Sequence, residues 1–142
     1  MTVTVYTDAS HCQRTDIAVC GFAIVVNDVL VRHQVVIISE CKTSGDAEFY
    51  AATLGLQEAF MQKDVLNINL MVDFIAICFF KNAYKAKKKP RAHEYSETIK
   101  MIVEEGIGLS VNHVKAHNKN VYNNKVDLSC RNTLRKYNNK IK

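Results

Sequence analysis

The chain has 142 residues, of which 48% are hydrophobic and 23% are charged. This length suits one domain, and this composition is ordinary for a folded domain, so it excludes a disordered tail and a fibrous repeat. No apolar run approaches the roughly 18 residues of a membrane helix. We therefore predict a single domain over residues 1–142 that has no membrane partner. The five cysteines are scattered and odd in number, which is typical of reduced thiols in a cytoplasmic protein.

The net charge of +5 is distributed unevenly along the chain. Residues 1–80 contain four Lys or Arg and nine Asp or Glu, whereas residues 81–142 contain fifteen and five. The stretch 81–91 carries six positive charges and no negative one, and Lys87, Lys88 and Lys89 within it are candidate phosphate contacts. Such a stretch is compatible with a solvated surface. It also suits a polyanion partner, because basic side chains that bind phosphates release counter-ions.

Nine elements are predicted in the order β-β-β-α-β-α-α-β-α, over residues 2–8, 18–26, 29–38, 47–62, 67–73, 74–85, 94–105, 109–115 and 121–137. Asn27 and Asp28 between the second and third strands predict a hairpin turn. Ser44 or Asp46 is the expected N-cap of the first helix. Pro90 is expected to break the helical region between the fourth and fifth strands.

This order predicts an α/β fold with a five-stranded mixed sheet flanked by helices. The first three strands form an antiparallel meander, and the right-handed crossover rule places the fourth strand parallel to the first and near it. Asp8 and Asp73 end these two strands in the predicted scheme. Because parallel strands end at the same edge of a sheet, the two carboxylates are expected to meet there.

Two further acids are candidates for the same edge of the sheet. Glu48 lies one turn into the first helix, on the face that carries small residues and is expected to pack against the sheet. Asp127 is the one acid in the basic run 115–142. Four neighbouring carboxylates repel one another unless divalent cations neutralise them, and hard oxygen ligands suit Mg²⁺ or Mn²⁺. Two such ions can assist an in-line phosphoryl displacement.

These acids stand within motifs that resemble type 1 ribonuclease H over nearly the whole chain. The matching segments are Tyr6-Thr-Asp-Ala-Ser10, Ala47-Glu-Phe-Tyr-Ala-Ala52, Leu70-Met-Val-Asp73, Val114-Lys-Ala-His117 and Asn123-Asn-Lys-Val-Asp127. Each segment alone is a weak signal, but five in the right order on the right elements are a strong one. The resemblance implies the ribonuclease H-like fold.

The resemblance also implies an activity and its residues. It implies an endonuclease that hydrolyses the RNA strand of RNA–DNA hybrids with two Mg²⁺ ions, for which Mn²⁺ can substitute, and we expect the protein to be a monomer. The products would carry 5′-phosphate and 3′-hydroxyl ends. The metal-binding tetrad would be Asp8, Glu48, Asp73 and Asp127. His117, ten residues before Asp127, would assist turnover and product release.

Contacts with the hybrid are implied at the positions where this family binds it, namely Ser10, His11, Thr43, Ser44 and Asn123. The chain departs from the family pattern in several places, among them the loop after Asp8 and the residue after Asp73. The loop 9–15 contains no glycine, and Phe74 stands where a small polar residue usually follows the third acid.

Two other nuclease patterns fit this sequence worse, whereas a catalytically silent module and a nuclease subunit cut from, or working beside, a reverse transcriptase remain open. An integrase-like site would need a glutamate about 35 residues after Asp73, where Gly108 stands, although Glu104 and Glu105 are near. A proofreading exonuclease would carry Asp-x-Glu on the first strand, where this chain has Asp8-Ala-Ser10. A catalytically silent hybrid-binding or scaffold module on the same fold would keep the architecture without the activity.

Overall fold

A computed structural model describes residues 1–78, 90–114 and 120–140 of the chain. Its strands are β1 (Thr2–Cys12), β2 (Ile17–Val26), β3 (Val29–Ile38), β4 (Asn67–Val72) and β5 (Gly108–His113). Its helices are α1 (Ser44–Phe60), α2 (Ile75–Cys78), α3 (Pro90–Glu104) and α4 (Val121–Lys140). No helix in the described ranges is long and apolar enough to cross a membrane.

The five strands form one mixed sheet in the order β3-β2-β1-β4-β5. β1, β2 and β3 are antiparallel neighbours, whereas β4 runs parallel to β1 and β5 runs parallel to β4. Asn27 and Asp28 both have positive φ angles, which is the backbone conformation that a tight β2–β3 hairpin turn requires. The predicted meander, crossover and hairpin are therefore confirmed.

Helices cover both faces of this sheet. On one face α1 packs against β1 and β2, and α3 packs against α1 through the rings of Phe49 and Tyr95, whose centroids are 5.4 Å apart. On the other face α4 crosses β1 and β2, and its Val126 and Cys130 are buried against Val19 of β2. The core lies mainly between the sheet and the α1–α3 layer.

α1 can approach the sheet closely because its inner face carries small residues. Ala51, Ala52 and Ala59 have no exposed surface. A Cβ atom on Gly55 would lie 2.5 Å from Cγ2 of Thr7 in β1, so glycine is required for this distance between helix and strand. The close packing fixes the height of α1, and with it Glu48, above the end of β1.

Three predicted boundaries are wrong for identifiable reasons. β1 does not end at Asp8 but continues to Cys12, because it pairs with β2 throughout the hairpin. The N-cap of α1 is Thr43, whose hydroxyl accepts a hydrogen bond from the Asp46 amide, so neither predicted cap is used. α3 begins at Pro90 and not at residue 94 as predicted, since proline suits the first helical position.

Candidate active site

Asp8 and Asp73 are brought side by side by the parallel pairing of β1 and β4. Thr7 is paired with Val72, so the residues that follow, Asp8 and Asp73, stand level with each other. Asp8 lies within β1, at a point where β1 no longer pairs with β4 but still pairs with β2. Asp73 comes directly after β4. The expected meeting of these carboxylates at one edge of the sheet is confirmed.

Glu48 reaches the same place from the second turn of α1. It is 9% exposed, and Asp8 is 3% exposed, which is unusual burial for carboxylates. One carboxylate oxygen from each of Asp8, Glu48 and Asp73 lies within 4.8 Å of the other two. The three acids therefore form a compact cluster at the junction of β1, β4 and α1, which we call the acid cluster.

The acid cluster is only partly satisfied by donors of the protein. The backbone amide of Ala9 donates to Asp8 Oδ1 at 2.8 Å and to Glu48 Oε1 at 3.3 Å, and so ties the two carboxylates together. The remaining oxygens, Asp8 Oδ2 and Glu48 Oε2, are buried and accept no hydrogen bond from a donor among the described residues. A buried acceptor without a donor destabilises the folded protein, and a cation between the two oxygens would remove this destabilisation.

Burial and mutual repulsion raise the pKa values of all three acids. Burial, followed by the charge of Asp73, raises the pKa of Asp8 to about 7. Burial, followed by the charge of Asp8, raises the pKa of Glu48 well above its usual range. Burial and the charge of Asp127 raise the pKa of Asp73. Without a cation the cluster therefore holds protons near neutral pH, as closely spaced carboxylates must.

Asp127 lies outside the three-carboxylate cluster. It is half-buried on α4, and its Oδ2 lies 3.0 Å from a guanidinium nitrogen of Arg131, one helical turn further on. Its charge nevertheless contributes to the raised pKa values of both Asp8 and Asp73, which places it near them. α4 is held against β1 beneath the cluster, where the Cys130 thiol contacts the carbonyl oxygen of Asp8 at 3.6 Å.

The donor set of the acid cluster fits a divalent metal ion. It offers carboxylate oxygens, which are the ligands that hard cations such as Mg²⁺ prefer. Two of these oxygens are buried without a donor, and a cation is the group that would satisfy them while lowering the repulsion. The cluster contains three acids, and Asp127 lies near it without being part of it.

The predicted substrate contacts are placed in different environments. Ser10 and His11 are half-buried in β1, beyond Asp8, and His11 Nε2 donates to the Cys41 carbonyl oxygen at 2.7 Å. Thr43 and Ser44 are exposed at the start of α1. Asn123 is only 3% exposed in the first turn of α4. His117 and Lys87, Lys88 and Lys89 lie outside the described residues.

Two groups that fix the acid cluster were not anticipated from the sequence. One is the Ala9 amide, because a backbone donor leaves no mark on a sequence pattern. The other is His113 at the end of β5, whose Nε2 donates to the carbonyl oxygen of Asp73 at 3.1 Å and so holds the backbone after β4. A polar residue at the end of the strand next to β4 is a signal that could have found it.

The sequence profile of the RNase H family matches residues 1–135. The chain belongs to the RNase H family. A search of curated protein sequences finds no match. The fold is shared with solved structures of RNase H proteins at low sequence identity, so these likenesses concern architecture.

Three of these RNase H structures illustrate the likeness. RNase H1 from the halophilic archaeon Halobacterium salinarum NRC-1 is 19% identical, with a TM-score of 0.74 over 96% of this chain and 99% of that one. LC11-RNase H1, solved in complex with an RNA/DNA hybrid, is 17% identical, with a TM-score of 0.70 over 93% and 99%. The N-terminal RNase H domain of rv2228c from Mycobacterium tuberculosis is 14% identical, with a TM-score of 0.69 over 89% and 95%.

The raised pKa values of this RNase H site predict an unusual dependence of stability on pH. The folded protein retains protons on the acid cluster that the unfolded chain has released, so without metal its stability falls as pH rises from about 4 to about 7. The expected loss is on the order of a few kcal/mol, because each pKa unit corresponds to about 1.4 kcal/mol. Urea denaturation in EDTA across this pH range measures it.

Two controls accompany this pH measurement. Adding Mg²⁺ at the upper end of the range should restore stability, because an ion that binds the folded state alone stabilises it. Asp8→Asn removes one titrating group and should flatten the decline in EDTA. Stability that rises with pH over this range in the wild type would contradict the raised pKa values.

Proposed function

We propose that this protein is a metal-dependent endonuclease that hydrolyses the RNA strand of RNA–DNA hybrids and leaves 5′-phosphate and 3′-hydroxyl ends. The observation that carries the proposal is the acid cluster, in which three carboxylates from three elements converge within 4.8 Å. Membership of the RNase H family supplies the substrate class. The LC11-RNase H1 structure, which contains an RNA/DNA hybrid, supports the same substrate for this fold.

Asp8, Glu48, Asp73 and Asp127 would hold two Mg²⁺ ions, with Mn²⁺ as a possible substitute. When bound, the ions would supply the positive charge that stabilises the attacking and leaving oxygens of a phosphoryl displacement. The Ala9 amide donates to both Asp8 and Glu48, so the Asp8 carboxylate is held in one orientation. Asp127 would exchange its contact with Arg131 for an ion.

His117 is proposed to assist proton transfer and product release, in line with its position in the sequence motif. His117→Ala should slow turnover by about tenfold to a hundredfold, which is the contribution expected of one acid–base group. Steady-state cleavage of a hybrid in Mg²⁺ measures this effect. A loss as complete as that produced by removing a metal ligand would instead assign His117 to metal binding.

We also propose that the protein acts as a monomer in the cytoplasm. The cluster acids Asp8, Glu48 and Asp73 all belong to one chain, so the site needs no second copy. All five cysteines are free thiols, as in proteins of reducing compartments. The mass of the purified protein in solution tests the first statement.

Substrate selectivity tests the proposed function. A hybrid should be cleaved in its RNA strand, while its DNA strand and a DNA duplex of the same sequence should remain intact, because the 2′-hydroxyl distinguishes the strands. Each strand is end-labelled in turn and incubated with the protein and Mg²⁺, and an RNA duplex serves as a further control. Equal cleavage of the hybrid and the DNA duplex would contradict the proposal.

A further inference from the structure

A groove leads away from the acid cluster along α4, and most of the residues that line it have polar side chains. It has a volume of about 440 Å³ and is lined by Ser10, His11, Arg131, Leu134, Arg135 and Asn138. One wall is the part of β1 that follows Asp8, and the other is the C-terminal half of α4. We call it the α4 groove.

The near end of the α4 groove adjoins the proposed catalytic residues. Ser10 stands two residues after Asp8 on β1, and Arg131 is in contact with Asp127 at 3.0 Å. A strand whose phosphodiester lay at the acid cluster would therefore pass directly into the groove. Under the proposed function, that strand is RNA.

The far end of the groove carries a positive charge that has no ion-pair partner among the described residues. Arg135 is exposed, and no ion pair joins it to an acid among the described residues. From Arg131 to Lys140 α4 contains four basic residues and no acid, so nothing on this half of the helix neutralises the groove. A guanidinium is suited to phosphate because its fork of N–H donors matches two phosphate oxygens.

The spacing along α4 indicates which phosphate Arg135 would meet. Arg135 follows Asp127 by eight residues, which is about 12 Å along a helix. A nucleic acid strand rises about 3.4 Å per nucleotide, and this strand would cross the helix obliquely. The distance of about 12 Å therefore corresponds to a phosphate roughly two to four nucleotides from the cleaved bond. Such a contact fixes the position of the strand without reading its sequence.

We propose that the α4 groove binds the backbone of the RNA strand beyond the cleavage site, with Arg135 contacting a phosphate roughly two to four nucleotides away. The inference rests on the proposed function, because that function places the RNA strand at the acid cluster. It adds a binding residue that none of the sequence motifs contains. It also gives a role to the basic charge of the last helix.

Arg135→Gln and its matched control, Lys136→Gln, test this inference. Lys136 is the next residue on α4 and bears the same charge, but it faces Ile37 of β3 on another side of the helix. Binding of a hybrid is measured in EDTA, where cleavage does not proceed, at several salt concentrations. Arg135→Gln should weaken binding about threefold to tenfold and reduce the slope of log K against log salt by roughly 0.7–0.9. Lys136→Gln should leave both near the wild-type values.

A second measurement identifies the strand. One phosphate two to four nucleotides from the cleavage site is replaced by a neutral methylphosphonate, which is carried on a 2′-deoxynucleotide. The control strand contains the same 2′-deoxynucleotide with an ordinary phosphate. When the methylphosphonate is in the RNA strand, at one of these positions it should abolish the difference in hybrid affinity between the wild type and Arg135→Gln. In the DNA strand it should leave that difference intact, and the opposite pattern would overturn the inference.

The results separate this inference from the proposed function. If the wild type cleaves the hybrid while Arg135→Gln and Lys136→Gln bind it equally well, the groove does not hold the strand and the proposed function stands. If the wild type does not cleave the hybrid, the proposed function itself fails.

Discussion

Changing Asp73 to Asn is expected to reduce cleavage of the hybrid by about a hundredfold or more, because the amide keeps the volume of the side chain but removes a charged metal ligand. Hybrid binding should be largely retained. In EDTA the melting temperature should not fall, since the substitution relieves repulsion with Asp8. Initial rates in Mg²⁺ and a thermal melt in EDTA measure the two effects.

Asp64→Asn is the matched control for this substitution. Asp64 is exposed in the turn between α1 and β4, at the opposite edge of the sheet, and its positive φ of 61° is one that asparagine also tolerates. The same change of charge there should leave cleavage unaltered. Activity of Asp73→Asn above a tenth of the wild-type rate would show that Asp73 is not a metal ligand.

Gly55→Ala is expected to destabilise the fold by about 2–3 kcal/mol, at the upper end of typical overpacking costs. The new Cβ would lie 2.5 Å from Thr7 Cγ2 and 2.9 Å from Val5 Cγ2. Both neighbours are branched, fully buried side chains of β1 that cannot rotate away, so α1 must move outward. Urea denaturation in EDTA measures the change in the free energy of unfolding.

Gly45→Ala is the control for Gly55→Ala, because it adds the same methyl group to the same helix. Its Cβ would lie 3.4 Å from the ring of Phe74, which is an ordinary contact, so stability should change little. Equal destabilisation by both substitutions would show that the close approach at Gly55 is not what limits the packing of α1. A displaced α1 should also weaken metal binding, since Glu48 is carried by this helix.

The sheet and three of its acids could be predicted from the sequence because local patterns and one topological rule determine them. The crossover rule placed β4 parallel to β1 and near it, and the pairing of Thr7 with Val72 then brings Asp8 and Asp73 together. Small residues on α1 predicted which face meets the sheet, and hence where Glu48 points. These inferences depend on periodicity, which a sequence displays directly.

The details that could not be predicted depend on contacts between distant parts of the chain. The extension of β1 beyond Asp8 results from pairing with β2, and the apolar pattern does not record it. The cap at Thr43 was missed because three neighbouring residues can all cap a helix, and only the geometry selects one. The contact of Asp127 with Arg131 could be predicted, because residues four apart on a helix are neighbours. The distance of Asp127 from the acid cluster could not be predicted, because it depends on where α4 lies on the sheet.

The central claim is that the acid cluster makes this chain a metal-dependent nuclease rather than a silent hybrid-binding module. It is tested most directly by measuring hybrid cleavage while Mg²⁺ or Mn²⁺ is titrated from EDTA upward, with Glu48→Gln purified in parallel to detect a contaminating nuclease. We expect no cleavage in EDTA, a rate that rises and saturates with the metal, and a severe loss in Glu48→Gln. Absence of cleavage by the wild type at every concentration of either metal, or an equal rate in EDTA, would contradict it.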